Sequence, residues 1–198
     1  VTRVVGLTGY ARSGKNTVAS LIAKLSPERT KEVAFADAIK VSAARALGVR
    51  FDGDQVGTAA VREWADRFKA SQTIEIVESG ETIHRVSGRE FLQRYGTEAH
   101  RDMFDADFWV KVVDMDPPEV DLLLITDVRF PNEAEAIRTT GGEVWKVVRT
   151  DGSPANDHPS ERPLPDDLID RTVNNEGTLD DLEDEVERVM WYAHRYHP

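Results

Sequence analysis

Short unbroken apolar runs alternate along this chain with stretches whose apolar residues recur at helical spacing. Residues 3–7 form the first run and predict a short buried strand. Val18, Leu21, Ile22 and Leu25 then fall on one face of a predicted helix over 15–25, which Pro27 stops. A second short run at 32–35 reads as a strand, and Asp37 is placed to cap an Ala-rich helix ending near Gly48. Residues 50–58, rich in Gly and Asp, predict a loop, and 59–70 a helix with Val61, Trp64, Ala65 and Phe68 inward. Alternation around Ser79-Gly80 predicts a hairpin over 73–86, and Ser87 with Glu90 forms a capping box that opens a helix carrying Phe91, Leu92 and Tyr95. Residues 107–113 read as helical.

The most apolar run is 120–126, the pattern of a central strand buried on both faces. A helix over 132–140 closed by Gly141-Gly142, and a strand over 143–148, follow it. Residues 150–165, rich in Pro, Asp and Ser, read as a mobile loop or lid. A last strand at 172–174 precedes a last helix at 179–192 with Leu182, Val186, Val189 and Met190 inward. Strands alternating with helices imply an α/β fold, a three-layer sandwich on a mostly parallel sheet. Its 198 residues suit a single domain with insertions.

Charge narrows the function. The formal net charge of -11 disfavours a general binder of polymeric nucleic acid, while one local cationic pocket still suffices for a small phosphorylated substrate. Cysteine is absent, so neither a disulfide nor a thiolate metal site is built. The first seven residues are too short and too soon broken by glycine for a signal peptide, and no apolar run has the length of a membrane span. The expectation is a cytoplasmic protein without a membrane partner. His194 and His197, in a polar tail, carry no expected role.

One motif carries chemistry. Gly9, four residues, Gly14 and Lys15, set between the first strand and the first helix, match the Walker A pattern. Such a loop points backbone N–H groups at phosphate oxygens, and the helix start adds its positive end. Lys15 is expected to reach the β- and γ-phosphates of ATP. Asn16 stands where the pattern has a hydroxyl for Mg²⁺, and Thr17 follows one position late. The plainer alternative is a glycine turn that only joins strand to helix. Asp127, at the end of the most apolar strand, occupies the position that holds Mg²⁺ and its waters, with a helix cap or an ion pair to Arg129 as its plainer alternative.

Six blocks in order extend this reading over nearly the whole chain: 10–17, 35–40, 89–98 running on to 105–111, 126–133, 158–161 and 174–179. Together they resemble the bacteriophage deoxynucleoside monophosphate kinases, in which an aspartate usually takes the place of Asn16. The resemblance implies the P-loop nucleoside monophosphate kinase fold, with a monophosphate-binding region at roughly 37–100 and a lid at roughly 150–165. It implies transfer of the ATP γ-phosphate to a deoxynucleoside 5′-monophosphate, in the host cytoplasm for a phage protein. Arg12 and Lys15 would clamp the donor phosphates, with Ser13, Gly14, Asn16 and Thr17 completing the cradle. Asn175 and Gly177 lie where this family contacts adenine. Asp37, Lys40, Arg89, Gln93, Trp109, Arg129 and Glu133 would form the acceptor site, and Asn16 and Asp127 would hold Mg²⁺, directly or through water. Arg149 and Arg162 belong to the lid. Kinases of another small metabolite, of the dephospho-coenzyme A type, and a non-catalytic ATP-binding regulator remain as alternatives. The base preference and the oligomeric state, a homodimer included, stay open.

Overall fold

Parallel strand pairing organises the computed structural model, which describes residues 1–51, 59–79, 81–154 and 156–196. The chain divides into two compact units, one of residues 1–34 with 113–198 and one of residues 35–112.

The first unit is a five-stranded sheet of order β2-β5-β1-β6-β7, in which every pairing is parallel. Its strands are β1 (Arg3–Thr8), β2 (Thr30–Val33), β5 (Leu122–Ile125), β6 (Glu143–Val148) and β7 (Arg171–Asn174). All four residues of β5 are fully buried, as expected of a strand covered on both faces. Val5, Leu7, Leu122, Leu124, Trp145, Val147 and Val173 form one core with α1 (Lys15–Leu25) and α6 (Leu179–Tyr196). On the other face α5 (Pro131–Thr139) and the segment before it sit so close that a Cβ on Gly6 would collide with Ile137 and Val128. The result is a three-layer α/β sandwich. The connection leaving β1 runs to one side of the sheet and the connection leaving β5 to the other. The carboxyl ends of these two neighbours therefore form a topological switch point, where ligands of open parallel sheets bind.

The second unit contains α2 (Phe35–Ala46), α3 (Ala59–Ser71), the antiparallel hairpin β3 (Thr73–Glu78) and β4 (Glu81–Ser87), and α4 (Gly88–Gly96). A π-helical turn, Thr97–Asp102, extends α4. Ser87 Oγ accepts from Glu90 N–H and caps α4, a contact worth about 1 kcal/mol. Aromatic rings carry much of the packing, with centroids at 5.0 Å for Trp64–Phe68, 5.8 Å for Phe68–Phe91 and 5.7 Å for Phe91–Tyr95.

Four local expectations are corrected. Phe35 opens α2 instead of ending β2, because its side chain is needed in the helix core. Asp37 therefore sits inside the first turn of α2 and not at its cap. Residues 107–113 form turns and a single 3₁₀ turn, Val110–Val112, in place of a helix. The central strand covers only Leu122–Ile125, since Asp121 and Thr126 already turn away. The expected loop at 50–58 falls mostly outside the described residues, as do Gly80 of the hairpin turn and His197. No helix among the described residues is long and apolar enough to cross a membrane.

Candidate functional site

The carboxyl end of β1 turns sharply. Gly9 and Gly14 have φ of 137° and 100°, and Arg12 between them has φ of 66°. A non-glycine residue held there costs on the order of 1–3 kcal/mol, which marks the loop as constrained by something besides its own preference. A Cβ on Gly9 would collide with the Val147 carbonyl, and one on Gly14 with the Asn175 amide. Asn175 Nδ2 donates to Ser13 O at 2.8 Å and supports the loop from β7. Ala11 forms an isolated antiparallel bridge with Ser153, tying the loop to the expected lid.

Helix α1 starts at Lys15 directly from Gly14, with no side-chain cap. Its first N–H groups have no partner within the helix, so it presents an anion-binding end. Asn16 and Thr17 are exposed on this first turn, as is Arg12 on the loop. Ser13 is 1% exposed and its Oγ is buried without a hydrogen-bond partner. A glycine cradle, a helix start and a buried unpaired hydroxyl together fit a phosphate group.

Lys15 Nζ donates to Gly9 O at 2.7 Å and to Tyr10 O at 2.8 Å. Burial, reinforced by the positive charge of Arg129, lowers its pKa to about 8, against the raising influence of Asp127 and Glu161. Two cations and two carboxylates therefore share one small region.

Asp127 is half-buried in the turn after β5. Its neighbours fix it: Thr126 N–H donates to Val33 O and Val128 N–H to Leu7 O, both at 3.0 Å. The turn is thereby pinned to the ends of β2 and β1. Among the described residues no cluster of three or more His, Cys, Asp or Glu is arranged to hold a metal. A lone carboxylate at this position is compatible with Mg²⁺, which keeps several waters and takes phosphate oxygens as ligands.

Arg129 donates through Nη1 to Ser160 O at 2.8 Å and to Glu161 Oε1 at 3.1 Å. Glu133 accepts from Arg129 N–H at 2.8 Å and Phe130 N–H at 3.1 Å, capping α5 with its own carboxylate. That capping role accounts for the burial of Glu133, expected from the sequence to read the acceptor. A cavity of about 140 Å³ is bounded by Gly9, Tyr10, Ser13, Arg129, Arg149 and Arg162, among others. Arg149 pairs with Asp151 at 2.8 Å, and Arg162 is exposed. Gly177 lies exposed in the turn before α6.

In the second unit Asp37 is 1% exposed and accepts from Lys40 Nζ at 2.8 Å and Arg62 Nη2 at 2.9 Å. Its desolvation is overcome by the Arg62 hydrogen bond and by Lys40, so its pKa lies below the usual carboxylate value. Arg89 is exposed on the first turn of α4, and Gln93 is half-buried two residues short of Tyr95. Trp109 is 3% exposed, donates to Gly96 O at 2.8 Å and packs against His100 and Phe108. The structure thus places Trp109 in the packing of this unit and not on a surface where a base could stack.

Two charged residues that pair with candidate site residues were not singled out from the sequence. Arg62 lies 25 positions from Asp37, and nothing in the periodicity links them. Glu161 stood within one of the ordered blocks but without a role.

The family model described as deoxynucleotide monophosphate kinase matches residues 58–186. The deoxynucleotide monophosphate kinase of Escherichia phage RB69 is 30% identical over 52% of this chain, which spans only 44% of that relative's length. The deoxynucleoside-5'-monophosphate kinase of Escherichia phage T5 is 27% identical over 87% of this chain and 89% of its own. A putative deoxynucleotide monophosphate kinase of Acanthamoeba polyphaga mimivirus is 31% identical over 80% of each. With a glycine-rich turn after β1, a carboxylate at the switch point and a family-model match over most of its length, the chain belongs to the deoxynucleotide monophosphate kinase family.

Proposed function

We propose that the chain transfers the γ-phosphate of ATP to a deoxynucleoside 5′-monophosphate, giving ADP and the diphosphate. The observation that carries this is the convergence of Lys15, Asp127 and Arg129 at the carboxyl ends of β1 and β5, beside a loop whose glycines admit no Cβ. An oxygen of the acceptor phosphate attacks the γ-phosphorus while the bond to the β,γ-bridging oxygen breaks and ADP leaves. That oxygen is already anionic at neutral pH, so no general base is required. Catalysis then rests on positioning and on cations set where negative charge spreads.

Lys15 and the loop N–H groups bind the donor phosphates, and Arg12 adds a second cation. Arg129 faces the transferred group. Lys40, Arg62 and Arg89 of the second unit bind the acceptor monophosphate, with Asp37 orienting the first two and Gln93 contacting the sugar or base. Mg²⁺ held by Asp127 and Asn16, directly or through water, would neutralise charge on the β- and γ-phosphates. Asn175 supports the loop, and the turn around Gly177 borders the adenine. Arg149 and Arg162 close with the 150–165 segment and exclude water, which would otherwise hydrolyse ATP. The partners are these two small molecules, and the compartment is the cytoplasm.

The test is ADP release with ATP and Mg²⁺ across dAMP, dCMP, dGMP, dTMP and the ribonucleotides. Turnover of at least one deoxynucleotide is expected. Absence of turnover with all of them, beside intact ATP binding, would overturn the proposal in favour of a binding protein. Turnover of dephospho-coenzyme A alone would overturn the acceptor class.

A further inference from the structure

The Arg129–Glu161 pair is asymmetric. The Glu161 side chain is 3% exposed, while that of Arg129 is 36% exposed. The carboxylate lies behind the guanidinium and leaves part of it open. Its own turn is closed by local hydrogen bonds. Glu161 ends the 3₁₀ turn Pro159–Glu161, closed by Glu161 N–H to His158 O at 2.9 Å and Arg162 N–H to Pro159 O at 3.2 Å. His158 Nδ1 accepts from Ser160 N–H at 3.2 Å and lies 2.8 Å from Ser160 Oγ, bracing the same turn. At its other end Arg129 is held by Glu133 through the backbone N–H. The side chain is thus fixed at its root by α5 and at its tip by the 159–161 turn. Arg129, Ser160 and Glu161 share the wall of one cavity with Gly9, Tyr10 and Ser13 of the phosphate loop.

We propose that Glu161 is a positioning residue for phosphoryl transfer: its buried carboxylate holds the Arg129 guanidinium at the wall of the phosphate-loop cavity with one side open to the transferred group. An arginine bonded only to a carbonyl would retain its charge but lose the second anchor that sets the plane of its fork. Planar, two-point geometry is what lets arginine clamp phosphate oxygens. A buried carboxylate also offsets the repulsion between Arg129 and Lys15 without occupying the exposed side of either. This rests on the functional reading above, in which Arg129 acts on the transferred phosphoryl group.

A double-mutant cycle tests it, using the full chain with Glu161→Gln, Arg129→Ala and the double variant. Glu161→Gln is expected to lower kcat about 10- to 100-fold, with KM for ATP changed less than about threefold, since the lost interaction serves the transition state. In the Arg129→Ala background the same substitution should cost less than about threefold. Glu161→Asp, which keeps the charge one methylene short, should recover part of the loss. Equal losses in both backgrounds would overturn the proposal, because Glu161 would then act only by supporting the turn. Should Glu161→Gln fail to fold, Glu161→Asp carries the same cycle. If the wild type turns over no deoxynucleotide, the functional reading fails by itself. The cycle is then read calorimetrically on binding of ADP with aluminium fluoride, a mimic of the transferring phosphoryl group, where coupling between positions 129 and 161 upholds the positioning role and its absence overturns it.

Discussion

Raising pH from 7 to 9 should weaken binding of a non-hydrolysable ATP analogue about tenfold. The perturbation acts on Lys15, whose pKa is lowered from 10.5 to about 8, mainly by burial and then by Arg129. A group with pKa about 8 is roughly nine-tenths charged at pH 7 and one-tenth charged at pH 9. Bound phosphates favour the charged form and return the pKa toward its ordinary value. The affinity then tracks the charged fraction of the free protein. The phosphate groups themselves are fully ionised above about pH 7.5, given a second pKa near 6, and do not contribute to the slope. The stability of the free protein should move the other way. Between pH 8 and 10.5 the unfolded chain holds the Lys15 proton that the folded chain has lost, so stability rises with pH, by about 1 kcal/mol between pH 7 and 9 from this group. Calorimetric titration at fixed ionic strength, in wild type and Lys15→Arg, measures the first effect. The guanidinium does not titrate in this range, so the variant should show a flat profile. A flat wild-type profile, or the same slope in Lys15→Arg, would falsify the assignment.

Two further outcomes test the donor and acceptor sides separately. Gly9→Ala should abolish measurable triphosphate binding, because φ of 137° and the Val147 carbonyl leave no room for a Cβ; retained affinity by calorimetry would show that the loop can rearrange. Arg62→Ala should raise KM for the acceptor at least about tenfold and leave KM for ATP within about twofold, the loss of one charge-assisted phosphate contact; a matched rise in both would detach Arg62 from the acceptor.

Most elements were legible because their apolar spacing is strong. Val18, Leu21 and Ile22 gave α1 its face, and Leu182, Val186, Val189 and Met190 gave α6 its own; all seven are buried. The turn after β1 was legible because its glycines are demanded by backbone geometry, which local sequence encodes. What sequence could not resolve depends on distant partners. Trp109 carries the same letter whether it stacks on a base or packs inside, and only the Gly96 carbonyl and the rings of His100 and Phe108 decide it. Asp37 looked like a cap because a carboxylate just after a strand often is one. Its partner Lys40 stands three positions on in the same helix and was within reach of the sequence, while Arg62 required the fold of α2 against α3 to be known. The 107–113 segment kept a helical pattern, yet burial of Trp109 is met by turns there.

Under the proposed function, a common construction reconciles an acidic chain with an anionic substrate. A net charge of -11 repels polyphosphates at long range, and screening over about 8 Å at physiological salt limits that repulsion to the surface. Inside this range the local arrangement decides. Arg129 is backed by the buried Glu161, and Lys40 and Arg62 by the buried Asp37. In each case the carboxylate lies deeper than the cation it holds, with exposures of 3% against 36% in the first and 2% against 18% and 37% in the second. A positive charge with a negative one set behind it still attracts a phosphate arriving from the open side, because the nearer charge dominates at hydrogen-bond distance. The same carboxylate restrains the cation's rotamers before substrate arrives, so less side-chain entropy is lost on binding. Replacing either carboxylate by its amide therefore leaves more net positive charge beside the cations it holds and yet should weaken phosphate binding there, an outcome opposite to the one that simple charge counting gives.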